Sequence, residues 1–169
     1  MSTPEERLVE LKIALPEVAK PRWAYVPCVR SGDLLFVSGQ IGVVDGKIMH
    51  PGKLGGSVSV EQGREAARGC AIQALAVIRQ ELGSLDHIAR VVKATVFVAS
   101  AEGFGDQPTV ANGASELLRD IFGDVGLGAR SAVGMAELPM GASVEAEFIF
   151  EAKRSAESLR HGGQAVVPG

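Results

Sequence analysis

The chain is short of the residues that metal, thiol and nucleic-acid chemistry require. It holds only two Cys and three His among 169 residues. Cys28 and Cys70 lie far apart and form no CxxC, so no disulfide framework is expected and a reducing cytoplasm fits. Cys70 reads as a small buried hydrophobe. His50, His87 and His161 make neither HExxH nor H-x3-5-H spacing, which speaks against a zinc site. Basic residues are outnumbered, 17 against 20 acidic, for a net charge of −3, and a dedicated nucleic-acid binder would carry a basic stripe instead. No run of about 18 apolar residues is present to span a membrane. The acidic start Ser2-Thr3-Pro4-Glu5-Glu6 is unlike a signal peptide. Aromatics are few as well: six Phe, one Tyr and one Trp, beside 21 Gly.

What remains is one domain's length of chain with clear periodicity. Thr3-Pro4-Glu5-Glu6 signals a helix start, with Leu8, Leu11, Ile13 and Ala14 as its apolar side and a stop before Pro16. Residues 1–21 form this N-terminal helical extension. Trp23 to Val29, bracketed by prolines, predicts an edge strand. Ser31-Gly32-Asp33 is a turn. Leu34 to Val37 runs apolar on both faces like a buried strand, which Ser38-Gly39-Gln40 ends. Residues 42–58, rich in Gly, predict a loop with a short strand around Lys47-Ile48-Met49.

Ser59 to Leu82 is the clearest helix. Ala67, Cys70, Ala71, Ala74, Leu75, Ile78 and Leu82 mark one face, and Gly83 caps it. Ile88 to Ala99 alternates as a strand, with Val92, Ala94, Val96 and Val98 on one side. Asp106 can cap a second helix with the stripe Val110, Ala114, Leu117, Leu118 and Ile121. Arg130–Glu137 and Ser143–Lys153 are expected to pair as a hairpin around Leu138-Pro139-Met140-Gly141. Residues 154–169 lack periodicity and predict a flexible tail. The order predicts an α+β fold: a two-layer mixed β-sheet with two main helices on one face. On the last strand Val144, Ala146, Phe148 and Phe150 suit the helices. Ser143, Glu145, Glu147 and Ile149 point to the other face, toward water or another subunit.

The hairpin would also decide a charge constellation. With a two-residue loop Arg130 opposes Ile149, and Glu147 comes within diagonal reach on one face. A three-residue loop reverses that parity. Arg130, Glu145 and Glu147 are then either surface charges or the lining of a small-ligand site. Ser38 is a strand-end hydroxyl, either structural or ligand-binding, since no His is placed to activate it. Tyr25 is either an amphipathic strand residue or a site residue.

Phe36-Val37-Ser38-Gly39-Gln40-Ile41, Gly128-Ala129-Arg130-Ser131-Ala132-Val133 and Glu137-Leu138-Pro139 followed by Val144-Glu145-Ala146-Glu147 resemble the RidA family, also called YjgF. The similarity covers residues 22–153 in consistent order. It implies a chorismate-mutase-like fold and a homotrimer with clefts between neighbouring subunits. It also implies hydrolytic deamination of reactive 2-imino or 2-enamino acids to 2-oxo acids, without metal or organic cofactor. By the same resemblance Arg130 binds the substrate carboxylate and Glu145 holds or activates water, with Glu147 as the second acid. Tyr25, Ser38 and Asn112 match pocket positions, Asn112 with a one-residue insertion before Arg130. The family's frequent Cys two residues after the Arg is Ala132 here.

Three functional classes follow. The first is a deaminase acting through Arg130 and Glu145, on a small imino, enamino or oxo acid, in the cytoplasm, with no nucleic-acid or membrane partner. The second is a trimer that binds a small carboxylate without turnover. The third is a purely structural protein.

Overall fold

The structure, a computed structural model, describes residues 2–20 and 23–154. The extension boundary at 21/22 and the tail from residue 155 lie outside the described residues. The described elements are α1 (Pro4–Glu10), β1 (Cys28–Ser31), β2 (Leu34–Ile41), β3 (Val43–Val44), β4 (Lys47–Ile48), α2 (Val60–Leu82), β5 (Ile88–Ala99), α3 (Gln107–Phe122), β6 (Ala129–Met135) and β7 (Val144–Ala152).

Local chemistry sets the helix ends. Thr3 and Glu6 form a capping box on α1, and Ser59 and Gln62 form one on α2. α1 is shorter than its apolar pattern predicts. Lys12 takes φ 56°, Ile13 N–H donates to Leu8 O at 2.9 Å and Lys12 N–H to Val9 O at 3.0 Å. These are the bonds of a Schellman ending, here formed without Gly. α1 is docked rather than free: Leu8 is buried, Leu85 N–H donates to Glu5 Oε1, and Arg7 Nε donates to Asp120 O. Gly83 ends α2 in the left-handed region at φ 79°.

Five strands form one sheet in the order β1-β2-β7-β5-β6, and β3 and β4 make a separate small ribbon. Among the described strands only β5 and β6 run parallel. Their connection contains α3, the kind of crossover that parallel strands need. α2 lies over β2 and β7 while α3 lies over β5 and β6. The fold is thus the expected α+β two-layer arrangement with both main helices on one face. All predicted α3 stripe residues are buried, as are Val144, Ala146, Phe148 and Phe150. The opposite sheet face leaves Val29, Phe36 and Val133 exposed.

Several expectations are corrected. The C-terminal hairpin does not form: β7 inserts between β2 and β5, and β6 pairs only with β5. Pro139–Gly141 makes a tight turn kinked at Met140, whose φ of 56° is left-handed rather than 3-10. Residues 136–143 then carry the chain past the end of β5. β1 starts only at Cys28, not at Trp23. β2 does not stop at Ser38 but continues to Ile41 through a bulge between Val37 and Gln40. Phe36 on that strand faces the bare side and is 41% exposed. Strand β5 carries two more irregularities against β7, at Ile88–Arg90 and Val91–Lys93, and the latter buries Val91 in place of Val92.

The helix layer depends on close approach between α2 and α3. A Cβ on Gly113 would stand 2.0 Å from the Arg64 backbone oxygen. Backbone cannot yield as a side-chain tip can, so Gly113→Ala is expected to destabilise the fold by about 2–3 kcal/mol. A urea midpoint within error of wild type would contradict that packing.

Candidate functional site

Arg130 sits on β6, the edge strand. Its register partner on β5 is Ala94, which in turn pairs with Phe148 of β7. Paired residues share a sheet face, so Arg130 points to the helix side. There it meets α3. Nη1 donates to Asn112 Oδ1 at 2.8 Å and to Ser115 Oγ at 3.0 Å. Nη2 donates to the Pro108 carbonyl at 3.3 Å. All three partners are uncharged. Among the described residues no carboxylate lies within ion-pair distance of Arg130. The guanidinium remains exposed and permanently charged.

Glu145 lies on the other side of the sheet. It pairs with Ile41 on β2 and Phe97 on β5. Its carboxylate rests on the β2 bulge, where a Cβ on Gly39 would stand 1.9 Å from Oε1. Only a residue without a side chain leaves that place open. Burial pushes the Glu145 carboxyl above its ordinary 4.5, and the neighbouring Glu147 charge adds to the rise.

Ser38 occupies the same bulge. Its N–H donates to Pro27 O at 3.0 Å and its Oγ donates to Val26 O at 2.7 Å. The hydroxyl thereby ties down the segment that carries Tyr25, which is 47% exposed. Ser38 also borders a groove of about 250 Å³ on the bare sheet face, together with Val29, Phe36, Lys93, Thr95 and Glu147.

The structure therefore gathers the sequence-predicted residues into two groups. Arg130 and Asn112 belong to the β6–α3 edge. Ser38 and Glu145 belong to β2 and β7, with the Tyr25 segment just before β1 and Glu147 nearby on the same sheet face. The arrangement with Arg130 opposite Ile149 and Glu147 in diagonal reach does not occur, because β5 separates β6 from β7 and the pleat sends the two side chains to opposite faces. Ser115, the Pro108 carbonyl and Gly39 were missed from the sequence. The 108, 112, 115 spacing is one face of a helix and was available as a signal.

The family model "YjgF/chorismate_mutase-like, putative endoribonuclease" matches residues 5–150. The chain belongs to this YjgF, or RidA, family. It is 47% identical to Protein TCP17 of Trypanosoma cruzi over 145 residues, covering 85% of this chain and 91% of that protein. The crystal structure of Atu1372 from Agrobacterium tumefaciens, a protein of unknown function, is 45% identical with a TM-score of 0.83, covering 89% of this chain and 92% of that one. Escherichia coli TdcF, solved with bound serine, is 27% identical with a TM-score of 0.55, covering 83% and 93%.

The electrostatics of Glu145 give a stability test. A carboxyl whose folded pKa is raised binds protons more tightly in the folded state than in the unfolded one. Stability therefore falls as pH rises from about 4.5 through the folded pKa. Glu145→Gln should raise the melting temperature at pH 7, and the gain should shrink toward zero near pH 4. A gain that grows on acidification would contradict this.

Proposed function

We propose that the protein hydrolyses reactive 2-imino and 2-enamino acids to 2-oxo acids and ammonia. The observation that carries this reading is Arg130: an exposed guanidinium held by three neutral acceptors with no acid to neutralise it. Such a group is an anion site, and a planar carboxylate matches its fork. The serine bound by the Escherichia coli relative carries one α-carboxylate, which is the ligand class proposed here.

Anchoring the carboxylate fixes the adjacent C=N carbon. Water oxygen then adds to that carbon while a carboxylate accepts the water proton. That proton passes to nitrogen, giving an adduct that carries OH and NH2 on one carbon; the hydroxyl then gives up its own proton, nitrogen takes a proton, and the C–N bond breaks as C=O forms and ammonia leaves. Glu145 is the base in this reading. Its raised pKa suits a group that both takes and returns a proton. Orientation supplies much of the rate for such a reactive substrate.

Arg130 and Glu145 of one chain lie on opposite sheet faces and cannot share one small molecule. The reading therefore requires copies of the chain to meet, Arg130 from one and Glu145 from another. A homotrimer with three such clefts meets that need, and Val29, Phe36 and Val133 on the bare sheet face offer it apolar surface to bury. The word endoribonuclease in the family description fits the chain less well. The net charge is −3, and Glu145 and Glu147 crowd the bare face, where a phosphodiester backbone would be repelled. A second reading, carboxylate binding without turnover, draws on the same Arg130 and omits Glu145.

Ammonia release from freshly generated 2-iminopropanoate tests the proposal. Arg130→Ala and Glu145→Gln should each lower kcat/KM by about 100-fold or more. Co-refolding the two variants should recover part of the activity, because mixed assemblies contain clefts with an intact Arg130 and an intact Glu145. Wild-type rates in Arg130→Ala would sink the reading. Saturable binding of a 2-oxo acid with no rate gain in wild type would favour the non-catalytic one.

A further inference from the structure

We propose that Ser115 is a positioning residue that presents one edge of Arg130 to a single carboxylate. This rests on the reading of Arg130 as the carboxylate anchor and adds how that anchor is aimed. A guanidinium has five N–H donors. Two on Nη1 are spent on Asn112 Oδ1 and Ser115 Oγ, and one on Nη2 is spent on the Pro108 carbonyl. The two left belong to Nε and Nη2, the nitrogens that flank one edge of the group. A carboxylate takes two parallel N–H bonds, so the unspent pair matches one such ligand.

The need for a fixing contact follows from exposure. Arg130 lies on an edge strand, and burial does not hold its long side chain. Its three acceptors all come from one face of α3, spread over about two helical turns. Without Ser115 the group would be held by Asn112 and by the longer bond of Nη2 to the Pro108 carbonyl at 3.3 Å. Ser115 occupies the other Nη1 hydrogen at 3.0 Å and adds a third restraint, shorter than the Pro108 bond, on the plane of the group. The platform itself is rigid, since Gly113, between Asn112 and Ser115, seats α3 against the Arg64 backbone. Ser115 touches Arg130 and need not touch substrate.

The test uses the full chain, pyruvate as a carboxylate probe in calorimetry, and 2-iminopropanoate for rates. Ser115→Ala is well tolerated in a helix, so its fold should persist. It should weaken pyruvate binding and raise KM by roughly fivefold to tenfold, with kcat changed by less than about twofold. Ser115→Thr retains the hydroxyl and should restore both values, which a packing role alone would not predict. Wild-type pyruvate affinity in Ser115→Ala, beside lost affinity in Arg130→Ala, would overturn the positioning role and leave the anchor intact. Wild-type affinity in Arg130→Ala would remove the anchor and the positioning role together.

Discussion

The insertion of β7 between β2 and β5 determines which side of the sheet every late side chain faces. A strand alternates its side chains strictly, and paired residues share a face. Arg130 shares its row with Ala94 and Phe148, whereas Glu145 shares its row with Ile41 and Phe97. The first row meets the helices and the second does not. One chain therefore carries two incomplete groups, a cation fixed to α3 and an acid resting on the β2 bulge. Each has its own local support, and neither leans on the other.

That support is made from polar neighbours and missing side chains. Arg130 is bounded by an amide, a hydroxyl and a backbone carbonyl, which use part of its donor capacity without cancelling its charge. Glu145 is bounded by the bare Cα of Gly39 and by the charge of Glu147, which together leave it half-buried and reluctant to ionise. Cys70 takes the opposite course. It is fully buried, its thiol is pushed up to about 12 by that burial, and its Sγ donates to Val144 O. It is packing, as its place on the α2 stripe predicts.

Small residues also explain how a chain with so few aromatics builds a core. α2 buries Gly63, Ala66, Ala67, Gly69, Ala71 and Ala74, so its backbone approaches both the sheet and α3. Phe148 and Phe150 then fill the space beneath, with ring centroids 5.9 Å apart. Close contact over an Ala and Gly surface replaces bulk, and it makes α3 a stiff base for the residues that hold Arg130.

Features set by short-range forces could be read along the chain. Capping boxes at Thr3 and Ser59, the left-handed stop at Gly83, the stripes of α2 and α3 and the alternation along β7 each depend on residues a few positions apart. The class of fold and the family motifs around Ser38, Arg130 and Glu145 were legible for that reason. Strand neighbours were not. Whether β6 pairs with β7 or with β5 depends on contacts between segments distant in sequence, and a good turn at Pro139 says nothing of what lies between the strands. The bulges at Val37–Gln40 and Val91–Lys93, invisible to a period-two pattern, shift one residue each. That Arg130 and Glu145 part company across the sheet follows from long-range strand pairing alone, because a pleat converts a choice of neighbour and register into a choice of face.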